Sequence, residues 1–103
     1  MGSVVKLTLL FQHPTDIDTF EAGYNQSLAL LEKMPGIQRR QACFVLGSPA
    51  GKSQYYRFLE FYFADRDAMD AAMLSEQGKA AGQSLVAFAG RTVELVFAEV
   101  FED

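Results

Sequence analysis

Gln54 to Phe63 reads QYYRFLEFYF, and the arrangement of the whole chain follows from it. Side chains along a β-strand alternate between the two faces of a sheet. On that rule Tyr55, Arg57, Leu59, Phe61 and Phe63 share one face, and Tyr56, Phe58, Glu60 and Tyr62 share the other. Aromatic rings crowd both faces. Such a strand belongs inside a sheet that is covered on both sides, yet the rest of the chain holds only enough helix to cover one. Something outside the chain is expected to cover the other.

Nearer the start, Val4 to Phe11 (VVKLTLLF) alternates Val5, Leu7, Leu9 and Phe11 against Val4, Lys6, Thr8 and Leu10, so it reads as a first strand with one wholly apolar face. Pro14 turns the chain, and Thr15 or Asp16 can cap the orphan amides of a following helix. Phe20, Tyr24, Leu28 and Leu31 recur at helical spacing through about Asp16 to Met34, and Pro35-Gly36 ends the run. Ile37 to Gly47 reads as a second strand. Its polar start, Arg39-Arg40-Gln41, places it toward a sheet edge. A turn-rich link, Ser48 to Ser53, leads into the aromatic strand. Asp65 caps a second helix carrying Met69, Ala72 and Met73. Ser75 caps again, which predicts a break and a continuation to about Leu85. Thr92 to Phe101 (TVELVFAEVF) is the fourth strand.

The order strand, helix, strand, repeated once, predicts an α+β fold: a ferredoxin-like βαββαβ chain over residues 4–102, with a four-stranded antiparallel sheet and helices on one face. Val5, Leu7, Leu9, Phe11, Leu59, Phe61 and Phe63 are assigned to the helix side. Lys6, Thr8, Tyr56, Phe58, Glu60 and Tyr62 are left on the far face. Exposed, those aromatics would make a patch larger than soluble monomers normally show, which predicts a second sheet over it.

Composition narrows the functional classes. With 103 residues, half of them hydrophobic, the chain fits one domain. A net charge of -4 without a basic cluster argues against nucleic acid or an anionic membrane as partner. No apolar run is long enough to span a bilayer, and Lys6 interrupts any signal-like core. Met1-Gly2-Ser3 begins like a myristoylation signal, but Lys6 stands where Ser or Thr is wanted, and the start reads as a cloning remnant. Cys43 is the sole cysteine, read as a buried, inert thiol in a reducing cytoplasm.

The stretches VKLTLLFQHP, FEAGY with LLEKMPGIQRR, YYRFLEFYFADRDAMDAAM and SEQGKAAGQSLVAFAG together make the chain resemble the EthD family, a branch of the dimeric α/β-barrel superfamily. The resemblance spans nearly the whole chain. It implies a homodimer whose sheets face each other, a dimeric α/β barrel. Superfamily members include cofactor-independent monooxygenases, lactone isomerases, polyketide cyclases and haem enzymes, and EthD itself is associated with degradation of ethyl tert-butyl ether. One departure stands out. EthD-like chains usually carry a histidine about one turn after the helix-one tyrosine, and Ser27 or Leu28 stands there instead.

Candidate chemistry is sparse. His13, the only histidine, ends the first strand near the mouth of any pocket between sheet and helices, and suits proton transfer near neutral pH. An exposed loop histidine beside a helix cap is the plainer reading. Glu60, flanked by Phe58 and Tyr62, could act as an acid or base, or pair with Lys6 across an interface. Tyr24 could offer its hydroxyl to a ligand or be an ordinary core tyrosine, and Phe11 and Phe61 supply apolar walls on the same side. Arg57 could bind an anionic group or reach solvent. One histidine and one cysteine leave no usual zinc set, and no metal or other cofactor is expected. Gly47 to Ser53 ends in Gly-Lys-Ser but is one residue short of a phosphate loop and leads into no helix. Two functional readings remain. One is an enzyme or accessory protein acting on a small apolar metabolite in a degradation pathway, with oxygenase- or isomerase-like chemistry. The other is a small-molecule binding or carrier module without chemistry of its own.

Overall fold

The computed structural model describes residues 4–101. Met1 to Ser3 and the expected domain bound at residue 102 lie outside them. The elements run β1 (Val5–Gln12), α1 (Ile17–Leu31), β2 (Arg39–Phe44), β3 (Tyr55–Phe63), α2 (Arg66–Leu74), α3 (Glu76–Phe88), a 3-10 turn (Gly90–Thr92) and β4 (Val93–Glu99). The four strands form one antiparallel sheet in the order β2-β3-β1-β4, the ferredoxin-like arrangement, with β2 at an edge as its polar start required. All three helices pack into a single core on one face of this sheet.

Each boundary has a local cause. The Asp16 carboxylate accepts from the Thr19 amide at 3.1 Å and opens α1, and Asp65 does the same for α2 through Ala68 at 2.8 Å. Ser75 closes α2 and opens α3, its hydroxyl accepting from Gly78 N at 3.0 Å, so the expected break falls on that residue. A Cβ on Gly78 would collide with the Ala72 and Met73 carbonyls, which is why glycine follows the break. The expected strands two and four are trimmed at both ends: Ile37-Gln38 and Val45 to Gly47 lie outside β2, and Thr92 and Val100-Phe101 lie outside β4. Helix one stops at Leu31, short of the expected end at Met34.

The core lies between the helices and the inner strands. Leu7, Leu9, Phe11, Leu59, Phe61, Phe63 and Met69 are almost fully buried, as the alternation predicted for the strand residues. On the opposite face, register pairs Thr8 with Glu60 and Lys6 with Tyr62.

The alternation rule fails at one place. Phe11 pairs with Arg57 but Gln12 pairs with Tyr55, so Tyr56 is an extra residue, a β-bulge. Tyr56 therefore joins Arg57 on the helix side, 5.4 Å from the Phe20 ring, while Tyr55 passes to the far face, packing on Phe58 and donating to Glu94. The expected far-face set of Tyr56, Phe58, Glu60 and Tyr62 is corrected to Tyr55, Phe58, Glu60 and Tyr62. Cys43 also differs from expectation, being half-buried opposite Phe58 on that face.

Candidate functional site

Helix α1 lays Phe20 and Tyr24 one turn apart over the end of β1, and α3 brings Phe88 against both strand and helix. Phe11 touches all three rings at centroid distances of 5.6, 5.6 and 6.1 Å. Gly23 makes this approach possible, because a Cβ there would lie 2.6 Å from the Phe88 ring. On the other side of Phe20, Tyr56 extends the cluster to Phe44 at 5.1 Å and to His13 at 5.7 Å. The cluster is continuous from the end of β1 to the outer edge of β2.

Two polar groups are set into it. The Arg57 guanidinium lies over the Tyr24 ring at 4.5 Å, near the rings of Phe44 and Tyr56 at 5.4 and 5.8 Å, and donates to the Glu21 carboxylate at 2.7 Å. Burial works against the Arg57 charge, but the hydrogen bond and charge of Glu21 outweigh it, and the group is held above its ordinary range. Burial pushes the Tyr24 phenol up, against the lowering influence of Arg57. Among the described residues, neither the Tyr24 hydroxyl nor Arg57 Nε has a hydrogen-bond partner, although both atoms are shielded from solvent. Such groups are uncommon in native interiors.

His13 stands at the rim. Its Nε2 lies 2.7 Å from the Ser53 carbonyl oxygen. A carbonyl can only accept, so Nε2 carries the proton and Nδ1 keeps its lone pair in the neutral ring. Beside it opens a cavity of about 230 Å³, with walls from Thr19, Phe20, Phe88, Ala89 and Thr92. A smaller hollow of about 50 Å³ lies on its other side, against Val45, Leu46 and Tyr55.

The remaining candidates lie elsewhere. Phe61 is fully buried opposite Leu7, four residues along β3 from Arg57 and so roughly 13 Å away. Glu60 accepts from Lys6 Nζ at 2.6 Å on the far face, on the other side of the sheet from Tyr24. The hydrogen bond to Glu60 raises Lys6 above its ordinary range. Ser27, at or beside the position where EthD-like chains usually carry histidine, is buried and hydrogen-bonded to Ser84 of α3 at 2.6 Å. Sequence reading missed Phe20, Phe44, Phe88 and Glu21 as neighbours of the site. Phe20 and Glu21 were legible as the turn of α1 that precedes Tyr24, whereas Phe44 and Phe88 come from elements whose approach no local pattern encodes. Among the described residues no cluster of His, Cys, Asp or Glu could hold a metal ion, and no helix is long and apolar enough to cross a membrane.

The fold, with helices on one side of the sheet and an aromatic site at its edge, defines a class, the ferredoxin-like α+β proteins. A dimeric ferredoxin-like protein of unknown function from Jannaschia matches with a TM-score of 0.71 at 18% identity, over 94% of this chain and 99% of that one. SnoaB of Streptomyces nogalater, a cofactor-independent oxygenase, matches with a TM-score of 0.68 at 16% identity, over 100% of this chain and 97% of that one. At these identities the likeness is one of fold. An EthD family protein from Bacillus halodurans is 33% identical, with a TM-score of 0.91, over 95% of this chain and 99% of that one. The chain belongs to the EthD family. No family model and no curated protein matches it.

Proposed function

We propose that this chain works as a cytoplasmic homodimer and is an enzyme, or an enzyme's accessory protein, acting on a small apolar metabolite in a degradation pathway without a cofactor. One observation carries the reading: His13 is held by the Ser53 carbonyl at the rim of an aromatic-walled cavity, with Nδ1 left as a proton acceptor. A cavity of about 230 Å³ suits a small molecule. The half-buried Leu10, Phe58 and Tyr62 and the exposed Val96 support the dimer, since they line a sheet face that no helix of the described residues covers.

The second reading, a binding or carrier module, is favoured by Ser27, which is locked to Ser84 at or beside the usual histidine position. A panel of small ethers, lactones and ketones, scored for both ligand-induced melting shifts and turnover, separates the two. The enzyme reading expects turnover of at least one compound and a loss of about 10² to 10⁴ in rate for His13→Asn, with the melting shift retained. Melting shifts without turnover in the wild type would establish the carrier instead.

A further inference from the structure

The geometry points to Tyr24 and Arg57 as a paired hydrogen-bond donor site for a neutral oxygen acceptor, the carbonyl of a compound with a planar, apolar body. This deepens the small-molecule reading above and rests on it. The Tyr24 hydroxyl and Arg57 Nε are both shielded from solvent, and both lack a partner among the described residues. Their side chains are stacked, with the guanidinium 4.5 Å from the Tyr24 ring centre, so the two donors lie close enough to share one acceptor, which has to part the stacked side chains because neither atom is exposed. Two unmet donors side by side ask for an acceptor.

The surroundings choose among acceptors. Glu21 already neutralises Arg57 at 2.7 Å, so a carboxylate ligand would meet its repulsion, whereas a neutral carbonyl would not. The rings of Phe44 and Tyr56 flank the guanidinium, and rings stack best on planar partners. Phe44 is 56% exposed and the Arg57 side chain 22%, which leaves an approach from the β2 edge.

The test compares three probes on the full chain by amide chemical-shift titration: acetophenone, ethylbenzene, which has the same body without the oxygen, and benzoate, which carries a charge. Acetophenone is expected to bind at least about tenfold more tightly than either. Tyr24→Phe and Arg57→Lys should each bring acetophenone down to the level of ethylbenzene and leave ethylbenzene itself unchanged. Tyr24→Phe should also melt no lower than wild type, since it removes a hydroxyl that has no partner. Equal binding of acetophenone and ethylbenzene by the wild type overturns the donor pair and leaves the small-molecule reading standing. Tighter binding of benzoate overturns the neutral ligand. Binding of none of the three overturns both readings.

Discussion

Two helix glycines give opposite expectations from the same substitution. Alanine in a helix interior is normally favoured over glycine by about 0.5 to 1 kcal/mol. Gly82 in α3 has open space around it, so Gly82→Ala should gain that amount, raising the melting temperature by about 4 °C. Gly23 in α1 is different. Its added Cβ would lie 2.6 Å from Phe88 Cγ and Cδ2 and 2.7 Å from Phe88 Cβ, against the roughly 3.5 to 4.0 Å of an ordinary carbon contact. The atoms met are at the root of the side chain, so turning the ring does not relieve them and α3 must move. That movement loosens Phe88 from Phe11 and Phe20 and stretches the Ser27–Ser84 hydrogen bond one turn away. Overpacking costs about 1 to 3 kcal/mol and the hydrogen bond about 1 more, which outweighs the helix gain. The expected net loss is about 2 kcal/mol, or about 8 to 16 °C. Circular-dichroism melts at one fixed protein concentration measure both variants. If Gly23→Ala is as stabilising as Gly82→Ala, the close crossing of α1 and α3 is wrong.

Further expectations concern the far face and the charges. In the proposed dimer Phe58→Asp would place an unpaired charge between the two sheets and should abolish dimer and fold together; a folded, dimeric variant in sedimentation would mean that this face is not the interface. Glu60→Gln should lower stability by about 1 kcal/mol if the Lys6 pair stays open to water and by about 3 to 5 if a partner sheet closes over it, with ligand binding unchanged in a parallel titration. The two limbs of the pH–stability curve have separate sources. Lys6 and Tyr24 both hold their protons more tightly than an unfolded chain does, so stability present below about pH 10 falls as pH rises through their raised values, and Lys6→Met should flatten that alkaline limb in pH-dependent melts. Asp16 is lowered by the Thr19 amide, so its contribution is present above the usual carboxylate range and lost as pH falls through the lowered value; Asp16→Asn keeps a capping oxygen and should remove that part of the acid limb.

Strand and helix periodicity carried most of the fold. The buried face of β1 and the inner end of β3 follow strict alternation, and Asp16, Asp65 and Ser75 announce their caps by residue type. The site was only half legible. Tyr24 lies on the apolar stripe of α1, and His13 directly follows β1 beside a proline, so both could be named from local pattern. Phe44 and Phe88 could not, because they reach the site through the edge pairing of β2 and the crossing of α1 with α3, which are long-range. Nor does any local signal distinguish a tyrosine whose hydroxyl is met from one whose hydroxyl is not.

The bulge at Tyr56 ties these observations together. In a regular strand Tyr56 would point away from the helices, and Arg57 would face Tyr24 without this ring beside it. The extra residue puts both side chains on the helix side, so that Tyr56 touches Phe20, Phe44 and His13 while Arg57 keeps its place over Tyr24. The same shift sends Tyr55 to the far face, where it adds to the apolar surface around Phe58. A single irregularity thus supplies one ring to the candidate site and another to the face expected to pair. Bulges recur next to functional sites because they re-aim side chains at the cost of one ladder position. Deleting Tyr56 would restore the alternation, so the fold should survive while the aromatic surround of Arg57 and the packing on His13 are lost together. Circular dichroism reads the first outcome, and the ring chemical shifts of His13, which no longer feel the Tyr56 ring, read the second. Unchanged His13 shifts in a folded deletion variant would mean that the bulge does not aim Tyr56 at the site.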